Sequence, residues 1–182
     1  PRLPKTIAVI SINSSTGYQD FMKVIEENPW GYKFHQLLFP AVLQGERAMS
    51  TIIAKLKRMK QHAKVFDAVA IVRGGGGDIG LSCYDNYVLA KAIASFPIPV
   101  LTGIGHSTNE TVSELVSYKS FITPTKIAEF LLQEFHNFSM PLTENLEKIK
   151  AGTKPLIERT EKEITEASRS FGFISNRIFD RR

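Results

Sequence analysis

Four strand-sized apolar segments, alternating with segments of helical periodicity, most constrain the fold of this chain. They occupy residues 6–12, 32–39, 66–72 and 98–104, and each ends at glycine, proline or small polar residues. Nearly continuous apolar strands are typical of a sheet that is covered on both faces. Strands that alternate with helices pair in parallel through right-handed crossovers. The pattern therefore predicts an α/β fold: a Rossmann-like or flavodoxin-like parallel sheet with helices on both faces.

The helical segments follow these strands at residues 18–27, 46–64, 85–96 and about 107–116, and a further helix is expected to begin within residues 121–125 with Pro124 in its first turn. Beyond residue 138, apolar residues recur at steps of four and three from Leu142 to Ile178, which predicts a coiled-coil-like helical arm. Gly152 and Pro155 interrupt this pattern, so we expect the arm to be broken there. The expected domains are a catalytic α/β domain at residues 1–138 and a truncated helical arm at 139–182.

The composition excludes several classes of protein. Hydrophobic residues make up 43% and charged residues 23% of the chain, which excludes a disordered tail. The longest apolar runs are strand-sized, so no membrane span is expected. A single cysteine, Cys83, excludes an internal disulfide and a cysteine-rich zinc site. Because no secretory signal is visible either, we expect a cytoplasmic protein.

Positive charge is concentrated in the helical segment at residues 46–64. Six lysine and arginine residues occur there against one glutamate, and the whole chain carries a net charge of +5. A basic helix attracts polyanions, and Lys55 and Arg58 are the candidate contacts to nucleic acid. The alternative is a solvated helix face that only keeps the protein soluble. Charge alone leaves both interpretations open.

The third strand leads directly into Arg73 and four glycines, Gly74, Gly75, Gly76 and Gly77. Glycines let backbone N–H groups approach a ligand closely, and with an arginine beside them the loop suits an anion such as phosphate. The spacing matches neither the Walker pattern nor the dinucleotide-binding pattern. The alternative is a flexible turn with an exposed arginine.

Two other strand ends carry candidate site residues. Ser14, Ser15 and Thr16 follow the first strand at a helix N-terminus, where hydroxyls cap the helix or hold a phosphate oxygen. Asp20 is expected in the first turn of that helix. His106 directly follows the fourth strand and can transfer protons. Because ligands bind beyond the carboxyl ends of parallel strands, we expect one shared site.

The residues themselves leave the substrate open between two classes. An arginine, a histidine and a carboxylate suit phosphodiester hydrolysis, and they equally suit a phosphorylated small molecule. Three aspartates, Asp20, Asp78 and Asp85, could ligate a metal, but they follow no recognised spacing.

Five motifs occur in a fixed order: IAVISINSSTGYQD at residues 7–20, FPAVLQG at 39–45, RGGGG at 73–77, IPVLTGIGH at 98–106 and TPT at 123–125. Together they strongly resemble the catalytic domain of the exodeoxyribonuclease VII large subunit family, over about residues 3–134. The tail with heptad-like spacing resembles the beginning of that family's coiled-coil arm.

The resemblance implies a bacterial exonuclease that degrades single-stranded DNA from either end to short oligonucleotides. By motif position it implies functional roles for Asp20, Arg73 and His106. Asn109 stands where the family commonly has a functional aspartate, and Glu110 is the alternative carboxylate one residue later. An amide cannot act as a general base at neutral pH. The family is described as not strictly dependent on a divalent metal, so we expect no required cofactor, with Mg²⁺ allowed.

The resemblance also implies partners: single-stranded DNA, a small subunit bound to the helical arm, and an N-terminal OB-fold domain of the same chain ahead of Pro4. That domain is missing from these residues, so we expect them to come from a longer protein. Two alternatives remain. Asn109 favours a catalytically weak module that binds single-stranded DNA or organises a complex. The other alternative is a domain that binds a phosphorylated small molecule, and the long basic helix weighs against it.

Overall fold

The computed structural model describes residues 3–74, 80–104 and 110–179, with side chains to residue 175. Five strands alternate with five α-helices. In chain order they are β1 Thr6–Ser11, α1 Thr16–Glu26, β2 His35–Pro40, α2 Arg47–Lys60, β3 Ala68–Val72, α3 Tyr87–Ala94, β4 Val100–Gly103, α4 Val112–Leu115, β5 Lys119–Ser120 and α5 Pro124–Phe179.

The strands form one parallel sheet in the order β2-β1-β3-β4-β5. This is the flavodoxin-like order, in which the strand order reverses between β1 and β3. The parallel sheet is therefore confirmed, whereas the sequence left its strand order open between the Rossmann-like and flavodoxin-like arrangements. The sequence did not predict β5, whose two residues pair with Leu101 and Thr102 of β4.

Apolar side chains of each central strand point alternately to two layers. In β1, Ile7 and Val9 pack with α1 and the first turns of α5, whereas Ala8 and Ile10 pack with α2 and α3. Side chains of a strand alternate between the two faces of a sheet, so a continuous apolar run fills both cores at once. This arrangement confirms the prediction of helices on both faces.

Three helices are shorter than the sequence predicts, and one of them is α3, which spans Tyr87–Ala94 rather than residues 85–96. The basic helix α2 ends at Lys60 and is followed by a short 3-10 helix, Ala63–Val65. Helix α4 spans only Val112–Leu115, because Thr111 and Glu114 form a capping box that begins the helix at Val112. The preceding part of the predicted helix, residues 107–109, lies outside the described residues.

Helix α5 begins at Pro124, as predicted, and then continues for 56 residues through Pro141, Gly152 and Pro155. The predicted break at Gly152 and Pro155 is therefore wrong. Each proline removes one backbone hydrogen bond, but the residues around Pro155 are exposed, so water can satisfy the carbonyl that is left over.

The chain divides into two compact units, Pro1–Asn137 and Phe138–Arg182. The first contains the sheet with its covering helices, and the second contains the remainder of α5. In the described part of the chain, no helix is both long and apolar enough to span a bilayer.

Candidate functional site

The carboxyl ends of β1 and β3 meet through two glycines. Gly17, in the first turn of α1, packs against Gly74, which follows Arg73 at the end of β3. A Cβ atom on Gly74 would lie 2.5 Å from the Cα of Gly17 and 2.6 Å from the Oγ of Ser15. A Cβ on Gly17 would in turn lie 2.5 Å from the Cα of Gly74. Only glycine therefore allows the two backbones to approach this closely.

Ser15 lies at this contact. It is the N-cap residue of α1, but its side chain makes no capping hydrogen bond. Its Oγ is buried and has no hydrogen-bond partner among the described residues. The first helical N–H bond runs from Gln19 to the carbonyl of Ser15 at 3.0 Å, so the preceding N–H groups of α1 have no partner within the helix. A hydroxyl and a helix N-terminus side by side form an environment that suits an anion.

The side chain of Arg73 is buried across the ends of two strands. Arg73 is 7% exposed, and its Nη1 donates a hydrogen bond to the carbonyl of Ile104 at 3.3 Å. Its backbone N–H donates to the carbonyl of Gly103 at 3.1 Å, which extends the pairing of β3 with β4. The exposed arginine of the alternative interpretation is thereby excluded, whereas the turn itself, residues 75–79, lies outside the described residues. A guanidinium held at a strand end presents a rigid fork of donors of the kind that binds phosphate.

Two acidic side chains lie within the electrostatic influence of Arg73. Burial raises the pKa of the Tyr84 phenol well above its usual range, and the Arg73 cation offsets part of that rise. Burial also raises the pKa of the Cys83 thiol, again with a smaller opposing effect from Arg73. The Tyr84 hydroxyl donates to the carbonyl of Leu43 at 2.9 Å. Both groups are therefore neutral at physiological pH, and the hydroxyl of Tyr84 has a structural role.

Asp20 lies in the second turn of α1, not in its first turn as the sequence predicts. The helix begins at Thr16, two residues earlier than predicted, and its first turn contains no acidic residue. The Asp20 side chain is exposed, and it makes no hydrogen bond or ion pair with another described residue. It lies one helical turn beyond Gly17, on the helix that contacts Gly74. Its carboxylate is therefore open to solvent and to a ligand.

Ser14 and Thr16, which flank the N-cap residue, are also exposed. The structure therefore brings Ser15, Arg73 and Gly74 together, with Asp20 one turn along α1. The remaining residues of the predicted centre lie outside the described residues: Gly75, Gly76, Gly77, Asp78, His106 and Asn109.

Two carboxylates near the predicted centre have structural partners. Glu110, the alternative to Asn109, accepts a hydrogen bond from the Ser120 hydroxyl at 3.1 Å. Asp85 accepts one from the backbone N–H of Val112 at 3.0 Å. Among residues 3–74, 80–104 and 110–179, no group of three or more His, Cys, Asp or Glu side chains could hold a metal ion.

The basic residues of α2 lie on two flanks of the helix. Lys55 lines a cavity at the carboxyl ends of β1 and β2, and Arg58 lies one turn further along the same flank. Lys57 and Lys60 line a separate groove between α2 and α3. The two residues predicted to contact nucleic acid therefore share the flank that faces the strand ends.

Sequence reasoning missed two residues of the site. Gly17 was passed over because a single glycine after a strand is common, although its partner Gly74 belongs to the predicted loop. Tyr84 was missed because its hydrogen bond to Leu43 joins residues 41 positions apart. Glycines at neighbouring strand ends are a signal that could have identified Gly17, whereas the sequence around Tyr84 contains no local signal.

Comparison with known proteins adds the family. The family described as "Exonuclease VII, large subunit" matches residues 1–182. The exodeoxyribonuclease 7 large subunit of Lacticaseibacillus casei is 35% identical over 132 residues, which cover 72% of this chain and 28% of that protein. The Campylobacter fetus protein of the same name is 31% identical over 152 residues, 83% of this chain and 38% of its own.

The Lactiplantibacillus plantarum protein of that name aligns with 99% of this chain at 28% identity, yet the alignment covers only 40% of its own length. The chain thus spans less than half the length of these relatives. The match to the family nevertheless extends over both units, from the sheet with its glycine contact to the helical arm. The chain belongs to the exonuclease VII large subunit family.

Proposed function

We propose that this chain is the catalytic part of a cytoplasmic exodeoxyribonuclease that hydrolyses single-stranded DNA to short oligonucleotides. One observation carries the proposal. The Gly17–Gly74 contact brings the Ser15 hydroxyl and the start of α1 against Gly74, which directly follows the buried Arg73. A site of this kind binds a phosphate group, and in a member of the exonuclease VII large subunit family that phosphate is a phosphodiester of DNA.

The proposed reaction begins with the scissile phosphate held by the N–H groups of α1, the Ser15 hydroxyl and the Arg73 guanidinium. Water attacks phosphorus, the P–O bond to the leaving sugar oxygen breaks, and that oxygen takes up a proton. Arg73 stabilises the charge that develops on the pentacoordinate transition state. In the proposal, His106 transfers protons as general acid or base, and Asp20 orients the water or the histidine.

Asn109 is proposed to position the substrate or His106 through hydrogen bonds, because its amide cannot accept a proton at neutral pH. The proposed mechanism requires no cofactor, and Mg²⁺ would serve only to offset phosphate charge. The role of Mg²⁺ is separately testable, because EDTA removes the ion without changing the protein.

We also propose that the arm, residues 138–179, forms a coiled coil and binds the small subunit. Its apolar side chains recur at coiled-coil spacing and are exposed: Leu142, Leu146, Ile149, Leu156, Ile164, Phe171 and Ile174. A long exposed apolar stripe marks an interaction surface. Co-expression with the small subunit from the same genome tests this. Leu146→Asp together with Leu156→Asp should abolish co-purification, whereas Glu147→Ala with Glu158→Ala should preserve it.

The nuclease proposal is tested with 5′-labelled single-stranded and double-stranded DNA, in Mg²⁺ and in EDTA. We expect the single strand to be shortened in both buffers and the duplex to persist. Arg73→Ala should lower the rate about 10²–10³-fold, as removal of a donor to a transition-state oxyanion does. His106→Ala should lower it by a comparable factor.

Lys64→Ala is the control for lost positive charge, because Lys64 lies in the short 3-10 helix that follows α2. Near-normal cleavage by Arg73→Ala or His106→Ala would contradict the assigned role. Binding without cleavage by the chain alone would point either to the missing OB-fold domain and small subunit or to the weak-binding alternative that Asn109 favours. Binding without cleavage when both parts are supplied would support the second. Absence of both binding and cleavage would favour a small phosphorylated ligand.

A further inference from the structure

A depression lies beside the contact of Ser15 and Gly17 with Gly74, which is named here the phosphate-binding corner. Of the residues that line the depression, only Lys55, a predicted contact to nucleic acid, has a role assigned above. The depression is a cavity of about 480 Å³ between the end of β2 and one flank of α2. Its walls are mostly apolar, with one cationic side chain. They are formed by Ile12, Pro40, Ala41, Val42, Thr51, Ala54 and Lys55.

The wall from residues 40–42 belongs to the FPAVLQG motif. Its side chains alternate: Ala41 and Leu43 are buried in the core, whereas Pro40 and Val42 are exposed. Val42 is 42% exposed, and Ile12 on the adjacent chain end is 41% exposed. Pro40 and Val42 thus expose apolar side chains to solvent at positions that polar residues could also occupy.

The same segment is held at three successive residues. The N–H of Ala41 donates to the carbonyl of Ser11 at 3.0 Å, which continues the pairing of β1 with β2. The Thr51 hydroxyl lies 2.9 Å from the carbonyl of Val42, and the Tyr84 hydroxyl donates to the carbonyl of Leu43 at 2.9 Å. A wall fixed in this way is organised before a ligand arrives, which lowers the entropic cost of binding.

The cavity also lies near the phosphate-binding corner, because both include residues of the segment that follows β1. The N–H of Ser15 donates to the carbonyl of Ile12 at 2.9 Å, and only Asn13 and Ser14 separate the cavity wall from the serine at the Gly74 contact. Lys55 supplies positive charge at the cavity, and Arg58 follows one turn along α2. An occupant that combines an apolar face with adjacent negative charges matches both features.

We propose that this cavity binds a nucleobase of single-stranded DNA next to the linkage that is cleaved, with Lys55 neutralising the phosphate that flanks that base. The inference rests on the proposed nuclease function and adds a substrate subsite to it. A base has a flat, largely apolar face that side chains such as Ile12, Pro40 and Val42 can cover, and the cavity is large enough to hold one base. The subsite reads no sequence, since its walls offer apolar contact and one cation.

The groove between α2 and α3 provides a matched control. It is smaller, about 250 Å³, and it combines apolar side chains with Lys57, Lys60 and Lys91. It lies on the other flank of α2, away from Ile12 and Ser15. Charge and apolar area therefore occur in both depressions, but only the first adjoins the strand ends.

The experiment measures the affinity of the 182-residue chain for two phosphorothioate 12-mers by fluorescence anisotropy. One is oligothymidylate, and the other has the same backbone without bases. We expect the chain to bind the oligothymidylate about tenfold more tightly, because burial of one face of a base against apolar side chains is favourable. Ala54→Trp, which fills the cavity from an exposed helix position, should remove that preference and leave binding of the abasic strand unchanged.

Val88→Trp, which places the same bulk in the control groove, should preserve the preference. Lys55→Gln should weaken binding of both strands and reduce the salt dependence, whereas Lys57→Gln should change neither. A preference that survives Ala54→Trp overturns the subsite and leaves the nuclease proposal intact if DNA is still cleaved. Failure of the chain both to bind either strand and to cleave unmodified DNA overturns both.

Discussion

The two parts of helix α5 have the same periodicity and opposite surroundings. In its first turns, Ile127, Ala128, Leu131 and Leu132 are buried against the sheet. From Phe138 onward every large apolar side chain that the structure describes, up to residue 175, is exposed. The apolar pattern of a helix therefore specifies a contact face but does not specify what covers it.

This comparison separates two uses of apolar surface. In the unit Pro1–Asn137 the apolar surface is buried within the chain's own fold, so truncation of these side chains should lower the free energy of unfolding. In residues 138–175 the large apolar side chains are exposed, so their truncation should leave folding nearly unchanged and, if the arm binds the small subunit as proposed, should weaken that association. Substitutions of one residue type at equivalent helical positions can distinguish the two.

The largest expected effect is at Leu131, which is 1% exposed, and Leu146, which is 56% exposed, is its matched control. Leu131→Ala should lower the free energy of unfolding by about 2–5 kcal/mol, because it opens a cavity between α5 and the sheet. Leu146→Ala should lower it by less than about 0.5 kcal/mol. Urea denaturation followed by circular dichroism measures both. Equal losses would show that the arm is covered by the chain itself.

The next effect has opposite signs at two glycines. Gly74→Ala should cost about 1–3 kcal/mol of stability, because its Cβ would overlap Gly17 and Ser15. Gly152→Ala should stabilise the arm by up to about 1 kcal/mol, because no atom lies within 4 Å of its added Cβ and alanine favours the helix. Thermal unfolding of both variants measures these shifts.

Gly74→Ala should also reduce cleavage of single-stranded DNA, whereas Gly152→Ala should not. Retention of full activity and stability by Gly74→Ala would mean that the close contact with Gly17 is not required. Any remaining difference in stability between the two variants would then come only from the helix propensity of alanine at residue 152.

The smallest effect concerns the thiol of Cys83. Burial raises its pKa, so at pH 8 a smaller fraction is thiolate than in an exposed cysteine. Iodoacetamide should therefore modify Cys83 several-fold more slowly than a cysteine introduced in the exposed arm by Ser168→Cys in a Cys83→Ser background. Equal rates would contradict the raised pKa.

The sign of the linked pH effect follows from the same shift. Because the folded-state pKa lies above the unfolded value, this thiol contributes stability below the unfolded pKa, and that contribution is lost as the pH rises through the folded value. Above about pH 9, the free energy of unfolding of the Cys83→Ser variant should therefore fall less steeply with pH than that of the unsubstituted chain.

Most of the fold could be predicted because it depends on local patterns. Continuous apolar strands and intervening helices specify a parallel sheet covered on both faces. The ends of elements were less accurate, since they depend on caps such as the pair formed by Thr111 and Glu114. The predicted break at Pro155 was wrong because the rule that proline ends helices has exceptions where solvent reaches the backbone.

The candidate site could be predicted as a region but not as an arrangement. Strand ends carry the serines, the glycine loop and Arg73, and the rule for parallel sheets brings those ends to one edge. The sequence did not indicate that Arg73 is buried, nor that Asp20 lies in the second turn of α1. Both depend on where neighbouring segments pack.

The sequence by itself determined the order along the chain of the first four strands and the helices, the positive charge of α2 and the coiled-coil spacing of the arm. Each of these depends on residues that are close along the chain. Only the tertiary structure decided that Gly17 meets Gly74, that the outer side of the FPAVLQG motif lines a cavity with Lys55, and that the apolar stripe of α5 is buried in one part and exposed in the other. These features join residues that are distant in sequence, and packing between elements, rather than periodicity within them, sets such contacts.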